Sequence, residues 1–325
     1  MTEARVRPGI AGLDFDRDRV VVALQRYGVY AAILILLVVD TALSSHFLSV
    51  SNLRVQLYQV VPVLVVALGM ALVIGTEGID LSVGAVIALA SAFIPLYLGY
   101  GVGLAIVTAL LAGAVSGFVA GLMVAVVNVQ PIVATLALMI GLRGIAVILN
   151  GASAKPITDA TINGLGLDLL GGIPKMAWIA LILVAIVGFV VRYTRFGRQL
   201  VAIGDNRRAS QLAGLPVKRI LLTVYIISGV LAALAGILIT GYGAEADPSN
   251  YGLNYELSAI TAVVVGGTPL TGGRIRVLGT VAGALFMQLL TATLVQHNIA
   301  QSYAQLVQAG IIVVAVYLAR GRSGR

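Results

Sequence analysis

No cysteine occurs anywhere in the chain. Disulfide frameworks, thiolate catalysis and Cys-ligated metal or iron–sulfur clusters are therefore excluded. Histidine is nearly as scarce: His46 and His297 are the only two, far apart in sequence. Charge is thin as well, at 10% of residues, against about a quarter in an ordinary soluble domain. What fills the space is apolar, 59% of 325 residues. No compact core hides such an excess, so the solvent must be lipid. The chain reads as an all-α polytopic membrane protein.

Two energy-coupling devices are missing. A phosphate-cradling P-loop needs Gly-Lys followed by Ser or Thr, and the three lysines follow Ala154, Pro174 and Val217. The Gly99, Gly101 and Gly103 stretch joins two apolar runs and lacks the strand–turn–helix setting of a nucleotide fingerprint. Ion-driven carriers bury ionisable residues mid-bilayer, each costing roughly 2.5–3.5 kcal/mol to insert. Here the spans hold almost none. Asp40 sits late in the first, and Arg143 lies where it can snorkel toward the outer headgroups as an anchor. The intramembrane polar residues are neutral: Gln59, Thr261, Gln288, Thr291, Gln305 and Gln308. Such groups suit a path for an uncharged polar solute and serve equally as interhelical glue. Gln59, Thr261, Gln288 and Gln305 are the candidate path residues.

A crossing helix needs about 20 apolar residues, with about 17 at the low end. Apolar runs at 27–45, 55–75, 79–98, 102–127, 131–149, 177–191, 220–241, 257–268, 277–296 and 303–319 predict about ten transmembrane helices. The sixth and eighth are short, and the eighth reads as a full span or a re-entrant one. Cations orient the set. Seventeen fall on the side of Arg5–Arg26, of loop 192–219, of Arg274 and Arg276, and of the C-terminal arginines. Three (Arg54, Lys155 and Lys175) fall opposite. The bias places both termini in the cytoplasm, with residues 1–26 a cytoplasmic tail, 27–319 one transmembrane domain and 320–325 a second tail. The net charge of +8 thus orients the chain instead of signalling nucleic acid. Gly113, Gly117 and Gly121, with Gly279 and Gly283, carry the four-residue spacing that lets helices approach closely, read as packing within one bundle.

Three segments are more than connectors. In loop 192–219, Asp205 or Asn206 caps a helix of about eight residues that Gly214 and Pro216 end. It is too short to span, and it lies on the surface, either on anionic lipid or as a knob for a cytosolic partner. Its apolar-small side is Ala209, Leu212 and Ala213. The Gly78-Ile79-Asp80-Leu81-Ser82-Val83-Gly84 run joins two spans, with Asp80 able to cap the next helix. Gly266, Gly267, Gly272 and Gly273 punctuate the loop after the eighth span. Paired Gly-interrupted segments of this kind mark turns or a gate.

These motifs carry a resemblance over about residues 30–320. With Ala134-Thr135-Leu136, Leu142-Arg143-Gly144, Gly197-Arg198, Ala202, Gly204, Asn206, Ala209, Gly214, Ser228-Gly229, Ala235-Gly236 and Glu256-Leu257, the chain resembles the permease subunits of ribose-type ATP-binding-cassette (ABC) sugar importers. It most resembles the galactofuranose type, in which two different permease chains pair. The resemblance implies an inner-membrane channel subunit that takes a neutral monosaccharide from an extracytoplasmic binding protein. It implies partnership with a second permease chain, identical or paralogous, and with cytosolic ATPases that hold ATP and magnesium, this chain binding no cofactor. It assigns ATPase coupling to Gly197, Arg198, Gly204, Asp205, Asn206, Arg208, Ala209, Leu212, Ala213 and Gly214, and gating to Gly78, Asp80, Ser82, Gly84 and the 266–273 glycines. Two departures stand out: Arg208-Ala209-Ser210 where the family commonly has Glu-Ala-Ala, and Glu77 where it has a small residue. Branched-chain amino acid and nucleoside permeases share the architecture and form the alternative. A membrane enzyme would have only Glu77 and Asp80 as paired acids.

Overall fold

The structure is a computed structural model that describes residues 14–44 and 46–296, with side chains from residue 28 onward. Seven positions beyond these are also described: Tyr303, Leu306, Val307, Ala309, Gly310, Ile311 and Val313. Span 303–319 as a unit, Gln305, Gln308, His297 and both extreme termini lie outside the described residues.

The helices are α1 (Asp14–Leu43), α2 (Val50–Gly75), α3 (Val83–Tyr97), α4 (Val102–Ala125), α5 (Pro131–Asn150), α6 (Ala160–Leu167), α7 (Lys175–Tyr193), α8 (Arg195–Asp205), α9 (Arg207–Leu212), α10 (Val217–Gly243), α11 (Tyr255–Val265) and α12 (Val277–Gln296). Four two-residue strands, β1 (Lys155–Pro156), β2 (Leu169–Leu170), β3 (Ile173–Pro174) and β4 (Glu245–Ala246), pair antiparallel as β1–β4 and β2–β3. Helix ends follow their local chemistry. Ser49 caps α2 by accepting from the Asn52 amide at 3.3 Å. Pro131 opens α5, where its missing N–H costs nothing, and Gly151 closes it in a left-handed conformation.

Seven helices among the described residues are long and apolar enough to cross a membrane; Gly28–Leu43 and α11 are shorter apolar helices. The chain is an all-α polytopic membrane protein. The sixth expected span, short in the sequence, is a full 19-residue helix. The third begins as helix only at Val83, because residues 76–82 form a turn-rich connector. The eighth has 11 helical residues, about 16 Å, too few to cross as helix alone.

Helices α2 and α10 are the most enclosed of the seven, whereas α5 and α7 leave most of their surface open. α10 packs against α3 and α4, the pair that follows α2. In turn α2 packs against α11 and α12, the pair that follows α10. The chain thus holds two cross-packed units of long helix, connector, short helix and returning helix. No repeat is readable in the sequence, because lipid-facing positions accept any apolar residue while only backbone spacing is shared.

The glycine spacing acts inside this bundle. A methyl at Gly113 would strike the Gly229 carbonyl, and one at Gly117 the Tyr225 carbonyl, both on α10. Gly279 and Gly283 lie against Gly266 and against Ala262 of α11 in the same way. One end of the bundle gathers α8, α9, Gly75 and loop 266–276. The other carries the strand pairs, tied to α2 by Arg54 Nε donating to the Gly172 carbonyl (2.9 Å) and Tyr58 Oη to that of Leu167 (2.8 Å).

Candidate functional site

Loop 192–219 folds into two helices instead of one. α8 is an 11-residue amphipathic helix absent from the sequence reading, which saw only the shorter helix after it. Thr194 caps α8, accepting from the Gly197 amide at 3.2 Å. Asn206, not Asp205, caps α9, accepting from the Ala209 amide at 2.8 Å. α9 has six residues where about eight were expected. The buried Ser210 hydroxyl donates to the Ala202 carbonyl at 3.0 Å, strapping α9 onto α8. Gly214 leaves α9 at φ +78°, a conformation glycine adopts without penalty. Arg208, Ala209, Leu212 and Ala213 face outward, and Leu212 is 85% exposed.

The knob is joined to both glycine-rich connectors at one point. Gly204 packs so closely on Gly75 that a side chain there would collide with the Gly75 carbonyl and stand 2.6 Å from the Gly273 amide. The Gly273 amide in turn donates to the Gly75 carbonyl at 3.1 Å. Gly272 lies over the Glu77 amide and the Gly204 carbonyl, and Gly273 over Asp205. Gly197 packs against the carbonyls of Val190 and Val191, seating α8 on the end of α7. Gly266 packs on the α12 backbone, and Gly267, at φ +87°, leaves room for the Arg276 side chain. The Thr268 hydroxyl accepts from the Arg276 amide at 3.0 Å. Motifs separated by nearly 200 residues therefore meet as one backbone junction.

The 76–82 connector then turns into the bundle. Gly78 lies under the Tyr225 hydroxyl. Asp80, 1% exposed, accepts from the Ser82 amide (3.0 Å) and hydroxyl (2.6 Å) through Oδ1, and from the Ser228 hydroxyl (2.8 Å) through Oδ2. Asp80 thus binds the connector to α10 instead of capping α3; Ser82 holds the cap position without a side-chain bond. Ser228 lies eleven residues into α10, about 16 Å along it, so this carboxylate is at membrane depth. The three donors offset part of the cost of placing this group inside the bundle. Glu77 is exposed at the knob end and points away from this environment. The two acids do not form a pair.

From the opposite end, connector 244–254 also enters the bundle. Gly84 and Gly252 cross so closely that a methyl on either would strike the other's carbonyl. Arg143 spans the crossing: Nη1 donates to the Pro248 (2.9 Å) and Tyr251 (2.6 Å) carbonyls, and Nη2 to that of Gly84 (3.2 Å). The expected anchor is present, but it anchors backbone inside the protein and does not reach for headgroups. Spacing alone could not reveal this, because two of the carbonyls come from residues more than a hundred positions away and the third from one 59 away.

Of the candidate path residues, Gln59 and Gln288 are together. Gln288 Nε2 donates to Gln59 Oε1 (2.6 Å) and to Gln56 Oε1 (2.9 Å), and Gln59 is exposed. Gln56 escaped the sequence reading; it lies one helical turn from Gln59. Thr261 is buried and donates to the Leu257 carbonyl of its own helix at 2.7 Å. Asp40, also buried, accepts from the Thr293 hydroxyl at 2.8 Å.

Crossing helices, connectors that enter the bundle from both ends and an exposed knob joined to them define an integral membrane transport subunit. Comparison with known proteins gives the family. Residues 52–316 match the model described as branched-chain amino acid transport system / permease component. The ribose import permease protein RbsC of Escherichia coli (strain K12) is 38% identical over 296 residues, covering 88% of this chain and 90% of its own length. RbsC of Bacillus subtilis (strain 168) is 36% identical over 307 residues, covering 92% and 94%. The galactofuranose transporter permease protein YtfT of Escherichia coli (strain K12) is 34% identical over 301 residues, covering 90% and 88%. No solved structure matches. The chain belongs to this permease family, in its ribose-type ABC importer branch, and is a multi-pass protein of the bacterial inner membrane.

Proposed function

We propose that this chain is the permease subunit of an ATP-driven importer. It passes a neutral monosaccharide from an extracytoplasmic binding protein to the cytoplasm. The observation that carries the reading is the junction of Gly75, Gly204 and Gly273, which joins an exposed knob to both connectors. ATP and magnesium belong to a cytosolic partner. What this chain supplies is a lever: a partner that seats α9, with Leu212 in its groove, displaces α8 and with it the ends of α2 and of loop 266–276. The gate is formed by connectors 76–82 and 244–254, which come together where Gly84, just after the first, crosses Gly252 of the second. A second permease chain, identical or paralogous, completes the pore beside the open faces of α5 and α7. Ten crossings with both termini in the cytoplasm put the knob on the ATPase side, in keeping with the cation bias.

Sugar cargo is supported by the names of the relatives and by the neutral amides Gln56, Gln59 and Gln288. The family model's description favours the second reading, a branched-chain amino acid. Co-purification of the tagged chain in detergent tests the lever: an ATP-binding subunit is expected in the eluate, and Leu212→Asp is expected to remove it while leaving the chain monodisperse. Equal recovery from the variant would sink the docking role. An uptake panel of monosaccharides against leucine decides the cargo.

A further inference from the structure

Among the described carboxylates at membrane depth, one combines unused acceptors with an open side. Asp80 is held by serine donors and enclosed, and Asp40 accepts from Thr293 through one oxygen, its other oxygen enclosed without a partner. Asp247, farther out on the connector, accepts from Ser249 and Asn250 beside it. Glu256, in the first turn of α11, differs. It shares a neighbour with Arg143: its Oε2 lies against Gly84, whose carbonyl accepts from Arg143 Nη2. Yet no ion pair joins it to Arg143 within 4 Å; among the described residues the one such pair is Lys175–Asp168.

Its position is constructed. A methyl at Gly84 would stand 2.5 Å from Glu256 Oε2, so the missing side chain makes the space this carboxylate occupies. Gly84 is also one of the carbonyls that Arg143 holds, and Arg143 lies twelve residues into α5, about 18 Å along it. Glu256 is only partly buried, and exposed Leu253 and Leu257 flank it. A half-open carboxylate at this depth does not face lipid tails. Its open side belongs to a polar path.

We propose that Glu256 is a substrate-contacting residue, its two oxygens accepting hydroxyl hydrogens from a polyhydroxylated neutral solute. Leu253 and Leu257 cover the solute's C–H face, and Arg143 is the positioning residue that fixes the α3–α11 crossing. A carboxylate offers acceptors to two neighbouring hydroxyls at once and forms charge-assisted bonds with them. This assignment deepens the importer reading above and rests on it.

The test uses the complete importer in vesicles: this chain, its ATPase and its binding protein, the last saturated with each solute. Ribose, galactofuranose and fructose are offered first, then single-deoxy analogues of whichever sugar the wild type accumulates. Wild type is expected to prefer the sugar over at least one deoxy analogue. Glu256→Gln is expected to shrink that preference roughly tenfold. Should Glu256→Gln fail to assemble, Glu256→Asp, which keeps the charge and withdraws it by one methylene, carries the same comparison. A ratio unchanged from wild type overturns the assignment and leaves the importer reading intact. A wild type that accumulates none of the sugars overturns the importer's cargo, and this contact with it.

Discussion

Glu77 illustrates how a single residue departs from its backbone. It holds φ +64° after α2, where its amide donates to the Ile74 carbonyl at 2.9 Å and that of Gly78 to Val73 at 3.1 Å. Left-handed backbone is where a helix commonly ends, and glycine is the usual occupant. The sequence flags Glu77 as unusual against the family's small residue; the conformation supplies the reason a small residue is favoured. Glu77→Gly is expected to raise stability by about 1 kcal/mol, read as a higher unfolding temperature in detergent. At Asp80 the expected sign is opposite. Ser228→Ala removes the one donor that joins connector 76–82 to α10 and is expected to cost about 1–3 kcal/mol. Unaltered thermal unfolding of that variant would mean the bond carries no net stability.

At the scale of elements, helix existence was legible and helix interruption was not. Apolar runs gave the crossings because every backbone polar group in lipid must be satisfied within its own helix. The same runs hid where α3 begins, since Leu81-Ser82-Val83 is as apolar as a helix and nothing local says that Asp80 bonds to a residue 148 positions away. α8 was missed for a different reason: Arg195–Asp205 has too few apolar residues to register as a span, although Phe196, Leu200 and Ile203, spaced by four and three, carry an amphipathic signal that the sequence does show. The glycine spacing in α4 was read correctly, because close approach needs small residues whatever the partner. Gly117→Leu is expected to separate α4 from α10 and to abolish folded protein in a size-exclusion profile. Gly141→Leu, on an open face of α5 with no neighbour within 4 Å, is expected to leave folding of the single chain intact.

At the scale of the whole molecule, the two cross-packed units place a connector at each end and bring both to one level. The ends of α9, at Asn206 and Gly214, were legible because caps and breakers are local signals; the junction of Gly204 with Gly75 and Gly273 is tertiary and was not. Membrane orientation has a direct check, for the chain has no cysteine of its own. Single cysteines at Arg208 and at Asn250 are expected to react with a membrane-impermeant maleimide from opposite sides, Asn250→Cys in intact cells and Arg208→Cys only after lysis. Labelling of both from one side would overturn the assigned orientation.

The most direct measurement of the central claim is solute accumulation in vesicles that hold this chain alone, with its ATPase, or with ATPase and binding protein, each with and without ATP on the knob side. The account predicts concentrative uptake of a monosaccharide only when all three components and ATP are present, and its loss with Leu212→Asp. Accumulation by this chain alone, or uptake indifferent to ATP, would contradict it.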